Sequence, residues 1–225
     1  MSVSVILPVL NEAHILEETL ARLVSLDGNA EIIVVDGGSS DGTVSIAGRF
    51  AKVLRSAQGR AAQMNTGAKS ARGDVFLFLH ADTHLPDGAF TAIENSLIEP
   101  EIIGGRFNIS LNEKGWQYRM VGYGINLRDR LIQGFTGDQA IFVRKAAFDA
   151  LGGYRDMPLM EDLDLGRRMC RLGKVARLPM TVSTSARRWK KNGVFRTIVL
   201  MWALRLSYLV GLPSRRLSRL YGNTR

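Results

Sequence analysis

Apolar positions along this chain follow two rhythms, short unbroken runs and longer stretches with a three-to-four-residue repeat, and these alternate through the first half. Residues 3–7 form an apolar run that stops at Pro8, which predicts a strand buried on both faces. From Asn11 onward Ile15, Leu16, Leu20, Leu23 and Val24 recur at helical spacing, with Asn11 as the expected N-cap. A β-branched run over residues 32–35 predicts a second strand, closed by Asp36 and the turn Gly37-Gly38-Ser39-Ser40-Asp41-Gly42. A short helix from Thr43, a strand over 52–55, a helix over 59–71 and a strand over 75–79 follow. The last of these stops at His80-Ala81-Asp82.

The second half is less regular. Residues 104–111 read as a strand pair, 116–131 as a helix, 139–143 as a strand, and 145–151 as a short helix ended by Gly152-Gly153. Leu159-Met160-Glu161-Asp162-Leu163-Asp164 opens a helix expected to run to Leu172 and stop at Gly173. Strands alternating with helices predict βαβ units and a mainly parallel sheet flanked by helices. Ligands on such sheets sit beyond the carboxyl ends of the strands. Asn11, Glu12, Asp36 and Asp82 therefore become the first candidates for chemistry.

Composition sharpens this picture at the C-terminal end. The 225 residues fit one compact domain with a short appendage, expected as 1–190 and a tail of 191–225. The net charge of +9 points to an anionic partner such as nucleic acid, an acidic membrane face or a phosphorylated ligand, or else to a solvated basic surface. From Arg187 to Arg225 there are ten basic residues and no Asp or Glu, the distribution of a docking surface. Residues 194–212 are rich in apolar side chains, but Arg196 and Arg205 interrupt them and the longest run falls far short of the ~20 residues a spanning helix needs. An amphipathic helix lying on an anionic membrane suits this segment, and so does packing on the domain or on a second subunit. The single cysteine, Cys170, fits a reducing compartment, and an N-terminus that reads as a strand is not expected to be a cleaved signal. The expected location is cytoplasmic, peripheral on the inner membrane face. No interleaved basic and aromatic platform points to nucleic acid.

Each candidate carries two readings. Asp36 at a strand end is placed to accept hydrogen bonds from a base or ribose, or to cap its turn, and the turn itself does not match G-x-G-x-x-G. Asp82 after a buried strand suits Mg2+ or Mn2+ held against a diphosphate, or ordinary turn chemistry. Glu161 and Asp162 at a helix start suit a general base and its neighbour, or a favourable interaction with the helix dipole. Arg60, Arg187 and Arg188 are candidates for phosphate contacts, or surface arginines.

Taken in order, these pieces resemble the family-2 glycosyltransferases. The matching segments are Pro8-Val9-Leu10-Asn11-Glu12, Val35-Asp36 with its turn through Thr43, Gly59-Arg60-Ala61-Ala62-Gln63-Met64-Asn65, Leu79-His80-Ala81-Asp82-Thr83, Gly137-Asp138-Gln139, Glu161-Asp162 and Arg188-Trp189. Within that family the likeness runs to a small bacterial subgroup described as associated with radical-SAM/selenodomain neighbours. The resemblance implies a Rossmann-like GT-A fold and a hexosyltransferase-type, inverting transfer of one sugar from a UDP- or GDP-sugar to an acceptor it does not name, with a lipid-linked hydroxyl among the candidates. Under it Pro8, Asn11, Glu12 and Asp36 hold the nucleoside, Arg60 and Asn65 face the donor, and Ala81 lies beside the metal ligands Asp82 and His80. Gly137 and Asp138 line the sugar side, Asp162 is the base with Glu161 beside it, and Arg188 and Trp189 close over the diphosphate. Two departures stand out. The usual Asp-Xaa-Asp appears as His80-Ala81-Asp82, and Ser185-Ala186-Arg187-Arg188-Trp189 replaces the Gln-Xaa-Xaa-Arg-Trp of processive polymerases, which favours a single-sugar enzyme. The rival readings are a nucleotidyltransferase, disfavoured because no glycine-rich phosphate loop follows the first strand, and a non-catalytic binding module.

Overall fold

The computed structural model describes residues 1–132 and 135–222. Arg225, the last member of the basic run, lies outside them. The chain opens with β1 (Val3–Val9), α1 (Ala13–Ser25), β2 (Glu31–Asp36), α2 (Thr43–Ala47), β3 (Lys52–Arg55), α3 (Arg60–Ser70) and β4 (Val75–Phe78). Strands β3, β2, β1 and β4 lie side by side and are parallel throughout. Successive β1 side chains alternate between two apolar layers, Val5 and Leu7 on one face and Ile6 on the other. Leu16 and Leu20 of α1 cover the first face, and Met64 of α3 covers the second. With both faces buried, an unbroken apolar run is what such a strand requires. Gly67 lets α3 lie close, since a Cβ there would collide with Ile6.

The remainder is mixed. After β5 (Thr83–His84) and α4 (Ala89–Ser96) come β6 (Ile102–Leu111), α5 (Trp116–Ile132), a single 3-10 turn Gly137–Gln139, β7 (Ile141–Arg144) and α6 (Lys145–Ala150). Then α7 (Glu161–Leu172), β8 (Lys174–Thr184), α8 (Arg187–Asn192), α9 (Val194–Leu209) and α10 (Ser214–Gly222) complete the described chain. The full order is β3-β2-β1-β4-β7-β6-β8-β5, with β7 antiparallel to both β4 and β6, β8 parallel to β6, and β5 antiparallel to β8.

Three expectations are corrected. Residues 104–111 belong to one ten-residue strand and not to a pair, because Ile102–Leu111 runs without a turn beside β8. The strand expected from Gln139 begins at Ile141, since Gly137–Gln139 closes a capping box with Thr136. Asn11 is not the N-cap of α1. Glu12 holds that position, and Asn11 sits one residue earlier in the left-handed region at φ 53°. The boundary drawn between residues 190 and 191 falls inside α8.

Candidate active site

Two clusters of charged side chains gather at the carboxyl ends of the strands. The outer cluster begins at the end of β1. Asn11 takes its positive φ because it is stitched to the turn after β2: its N–H donates to Ser39 Oγ at 2.9 Å, and its Oδ1 accepts the Ser40 N–H at 2.9 Å. Asp36, 2 % exposed, accepts N–H donors from Gly38 and Ser39 at 3.0–3.1 Å and so caps its turn. Gln63 Nε2 bonds the carbonyls of both Val9 and Val35 at 2.8 Å, tying the ends of β1 and β2 together. Pro8 is half-buried opposite Val35.

Asp82 is brought under α8 by the short β5–β8 pairing, with the Ser185 N–H donating to the Asp82 carbonyl at 3.2 Å. From α8, Arg187 reaches Glu12 Oε2 at 3.2 Å, His14 Nε2 at 2.8 Å and Asp82 Oδ2 at 3.4 Å. Burial works against the charge of Arg187, but Glu12 and Asp82 more than offset it and raise its pKa. One guanidinium thus spans two carboxylates from different strand ends.

The inner cluster is more enclosed: His80 and Glu161 are buried, and Arg60, Asp138 and Asp162 are partly exposed. His80, 7 % exposed, holds Asp138 Oδ1 through Nδ1 at 2.9 Å. Burial and Arg60 oppose its protonation, yet Asp138 and Asp162 prevail and its pKa rises. Burial would raise the Asp138 carboxyl, but the His80 bond, with Arg60 and Arg188 nearby, holds it well below the usual range. Arg60, opening α3, keeps its charge against burial because Glu161, Asp162 and Asp138 surround it. Asp162 behaves in the opposite way. Burial and then Glu161 push its carboxyl up to about 7, and its Oδ1 is buried without a hydrogen-bond partner. A Cβ at Gly137 would collide with Asp162 Oδ2 and the His80 ring, so only glycine lets this turn approach the pair.

All three non-glycine residues with positive φ among the described residues flank these clusters: Asn11 at 53°, Ala140 at 49° and Met160 at 70°. Ala140 follows the Gly137–Gln139 turn, and Met160 is the N-cap that launches Glu161 and Asp162. Such conformations cost roughly 1–3 kcal/mol each and concentrate at functional sites. Pattern reading gave no sign of Ala140 or Met160, nor of Tyr154. The Tyr154 hydroxyl is buried and unpartnered, and burial, with Asp162 and Glu161 nearby, drives its pKa up.

The expected site residues separate into distinct duties. Asn65 is committed to structure, its amide donating to the Tyr154 carbonyl at 2.8 Å and accepting the Tyr154 N–H at 2.9 Å. Ala81 is 5 % exposed, and its carbonyl accepts the Thr19 hydroxyl at 2.6 Å, so it offers no side-chain contact to a ligand. Arg188 lies 4.6 Å over the Tyr221 ring, and Trp189 is half-buried beside it in α8. A cavity of about 430 Å³ lined by Leu23, Phe50 and Phe90 opens at the other end of the strands and takes no part.

For a divalent cation the donor set is sparse. Among the described residues no three His, Cys, Asp or Glu side chains come together as a metal site. His80 is committed to Asp138. Asp82 is different: its carboxylate is a quarter exposed and meets only a long guanidinium contact at 3.4 Å. One carboxylate completed by diphosphate oxygens is an arrangement Mg2+ accepts, so these residues fit a metal that arrives with its substrate.

The sequence matches the glycosyl transferase family 2 domain over residues 4–152. The PGL/p-HBAD biosynthesis glycosyltransferase Rv2957 of Mycobacterium tuberculosis is 32 % identical over 164 residues, covering 67 % of this chain and 62 % of that protein. The chain spans 47 to 62 % of the length of the first curated relatives it matches. Among solved structures, the mannosyltransferase PcManGT from Pyrobaculum calidifontis, in complex with GDP-Man and Mn2+, superposes with a TM-score of 0.67 at 21 % identity, over 91 % of this chain and 60 % of that one. S. aureus TarS residues 1-349, in complex with UDP-GlcNAc, gives 0.63 at 18 % identity, over 82 % of this chain and 58 % of that one. The fold is the expected GT-A, Rossmann-like α/β fold.

Proposed function

We propose that this chain, which belongs to glycosyl transferase family 2, moves a single sugar from a nucleoside diphosphate to an acceptor hydroxyl by an inverting, single-displacement reaction. The observation that carries the reading is Asp162: a carboxylate raised to about 7, with one unbonded buried oxygen, at the mouth of the sheet. A base near neutrality takes a proton efficiently from a hydroxyl as that oxygen attacks. The acceptor oxygen bonds to the anomeric carbon, the bond from that carbon to the β-phosphate oxygen breaks, and the hydroxyl proton passes to Asp162. Glu161 keeps Asp162 basic by its charge. Arg60 faces the diphosphate, and Arg188 with Trp189 closes over it as charge develops there. Pro8, Asn11, Glu12 and Asp36 hold the nucleoside, and Gly137 and Asp138 line the sugar side.

Asp82 would hold Mg2+ or Mn2+, which when bound supplies charge neutralisation on the leaving diphosphate. PcManGT binds GDP-Man with Mn2+ and TarS binds UDP-GlcNAc, which supports a GDP- or UDP-sugar donor here. The motif set favours the radical-SAM/selenodomain-associated subgroup. The basic tail favours a lipid-linked acceptor and peripheral attachment to the inner membrane face. Among the described residues no helix is long and apolar enough to cross a membrane.

A thermal-shift screen with UDP-, GDP-, CMP- and dTDP-sugars, with and without Mn2+ or Mg2+, tests the reading. Ligand that binds the native state raises the melting point with concentration. One nucleotide giving a metal-dependent shift that disappears in Asp82→Ala is the expected result. No shift with any donor would overturn it.

A further inference from the structure

Helices α5 and α9 each carry an outward apolar stripe that the fold leaves bare. On α5 the exposed large side chains are Trp116, Met120, Tyr123, Leu127 and Leu131, spaced four, three, four and four residues apart. On α9 they are Phe195, Val199, Trp202, Leu206 and Leu209, spaced four, three, four and three. At 100° per residue each set falls on one side of its helix, and all ten are between 40 and 80 % exposed. The opposite sides face the protein through Val121 on α5 and Leu204 on α9. These are not helices with one apolar and one polar face. Their inward sides are mixed, with Thr197 and Arg205 buried beside Leu204 on α9 and Asp129 beside Val121 on α5, while the outward stripes are apolar, and the two helices pack against each other. A soluble monomer seldom leaves a patch of this kind uncovered.

Charge identifies what covers it. Over residues 114–132 the only acidic residue is Asp129, 1 % exposed, and from Arg187 to the last described residue there is none. Arg119, Arg130 and Arg196 are exposed on the same two helices, and Arg215, Arg216 and Arg219 are exposed on α10. Beneath the stripes, Arg106, Arg128 and Arg205 converge on Asp129, the first bonding its carbonyl at 2.8 Å and the second its carboxylate at 2.7 Å. Three guanidinium groups face one carboxylate, which leaves a fixed positive charge under the apolar surface. A second copy would set two such acid-free basic surfaces against each other. Lipid phosphates would instead neutralise them while acyl chains receive the stripes.

We infer that the outer face shared by α5 and α9 is the surface through which this protein docks on an anionic bilayer. The inference rests on the membrane reading of the tail and adds α5 to it. Helix α5 lies immediately ahead of Gly137 and Asp138 in the chain, so docking through it would bring the sugar side of the site down to the lipid surface.

The test is co-sedimentation with vesicles of phosphatidylcholine alone or with about a third phosphatidylglycerol, at low and high salt, together with analytical ultracentrifugation without lipid. Three full-length proteins are compared: wild type, the α5 variant Trp116→Ser/Tyr123→Ser, and the α9 variant Trp202→Ser/Leu206→Ser. All four positions are exposed, and a melting curve matching wild type establishes that each variant folds. Wild type is expected to pellet with the anionic vesicles at low salt, and each variant is expected to partition roughly tenfold or more weakly. An α5 variant that binds as wild type, beside an α9 variant that does not, would overturn the shared surface and leave the tail reading in place. No partitioning by wild type would overturn both, while the transferase reading still rests on nucleotide binding. A lipid-free dimer abolished by either variant would overturn the bilayer in favour of a second copy.

Discussion

Asp82 and Asp162 both stand at the mouth of the same sheet, yet their surroundings give them opposite chemistry. Asp82 is a quarter exposed and meets a guanidinium at 3.4 Å, so its carboxylate is open to a cation. Asp162 is walled in beside Glu161 with one oxygen unbonded, so it holds its proton up to about pH 7. A carboxylate's duty is set less by its place along the chain than by what closes around it. One is suited to anchor charge and the other to move a proton.

The largest effect expected is that of Asp162→Asn. Loss of a general base lowers kcat by roughly 10²–10⁴-fold, with donor affinity from calorimetry little changed. Stability moves the other way. The Asp162 carboxyl rises from an ordinary 3.8 to about 7 on folding, so the folded state binds its proton more tightly. That contribution is fully present below about 3.8 and is lost as pH climbs through about 7. The asparagine variant should therefore melt higher than wild type at pH 8 and hardly differently at pH 4. A variant that melts lower at pH 8 would contradict a carboxyl raised by desolvation and by Glu161. At Asp82 the same exchange should act through the donor. Asp82→Asn is expected to reduce kcat/KM by roughly a hundredfold and to abolish the metal-dependent part of nucleotide binding, with no rise in melting point at pH 8.

How much of this contrast was legible in the sequence follows from where each signal originates. The first half of the sheet was readable because its strands are buried on both faces and its helices are amphipathic, so β1 through β4 emerged close to their observed limits. The two-residue β5 and the half-exposed β8 were missed. Their burial alternates irregularly, and their pairing is non-local. Asp82 stands out as a strand-end carboxylate and Asp162 as a helix-start carboxylate, and the resemblance implies separate roles for them, but the surroundings that set them apart are not legible, because these depend on Gly137, His80 and Arg187 arriving from distant segments. The backbone strain at Met160 and Ala140 left no mark, since neither residue type advertises a left-handed conformation. Asn65 shows the converse. It sits in a recognisable segment, yet the fold commits it to the Tyr154 backbone.

Smaller effects separate the two carboxylates more finely. Glu161→Gln removes the neighbouring charge that follows burial as a cause of the raised Asp162 carboxyl. The acid limb of the pH–rate profile should then move below 7, so that more of the maximal rate survives at pH 6. The maximal rate itself should fall by less than about tenfold, because a less basic carboxylate takes the proton less readily. An unmoved limb would assign the titration to another group.

Arg187→Gln should produce the smallest change, and it tests the outer cluster alone. Arg187 is half exposed, so solvent screens its pairs with Glu12 and Asp82, and stability should shift by no more than about 1 kcal/mol. Binding should respond more than folding. Without its guanidinium, Asp82 stands open beside a second carboxylate, and Mn2+ titrated into nucleotide-free protein should bind a few-fold more tightly. Donor diphosphate in the absence of metal should bind a few-fold more weakly, since a cation near its oxygens has gone. These opposite shifts are expected only if Arg187 occupies the place that donor and metal later share. If Mn2+ and diphosphate affinities move together or not at all, Arg187 is a surface ion pair, and Asp82 loses its claim to be the anchor.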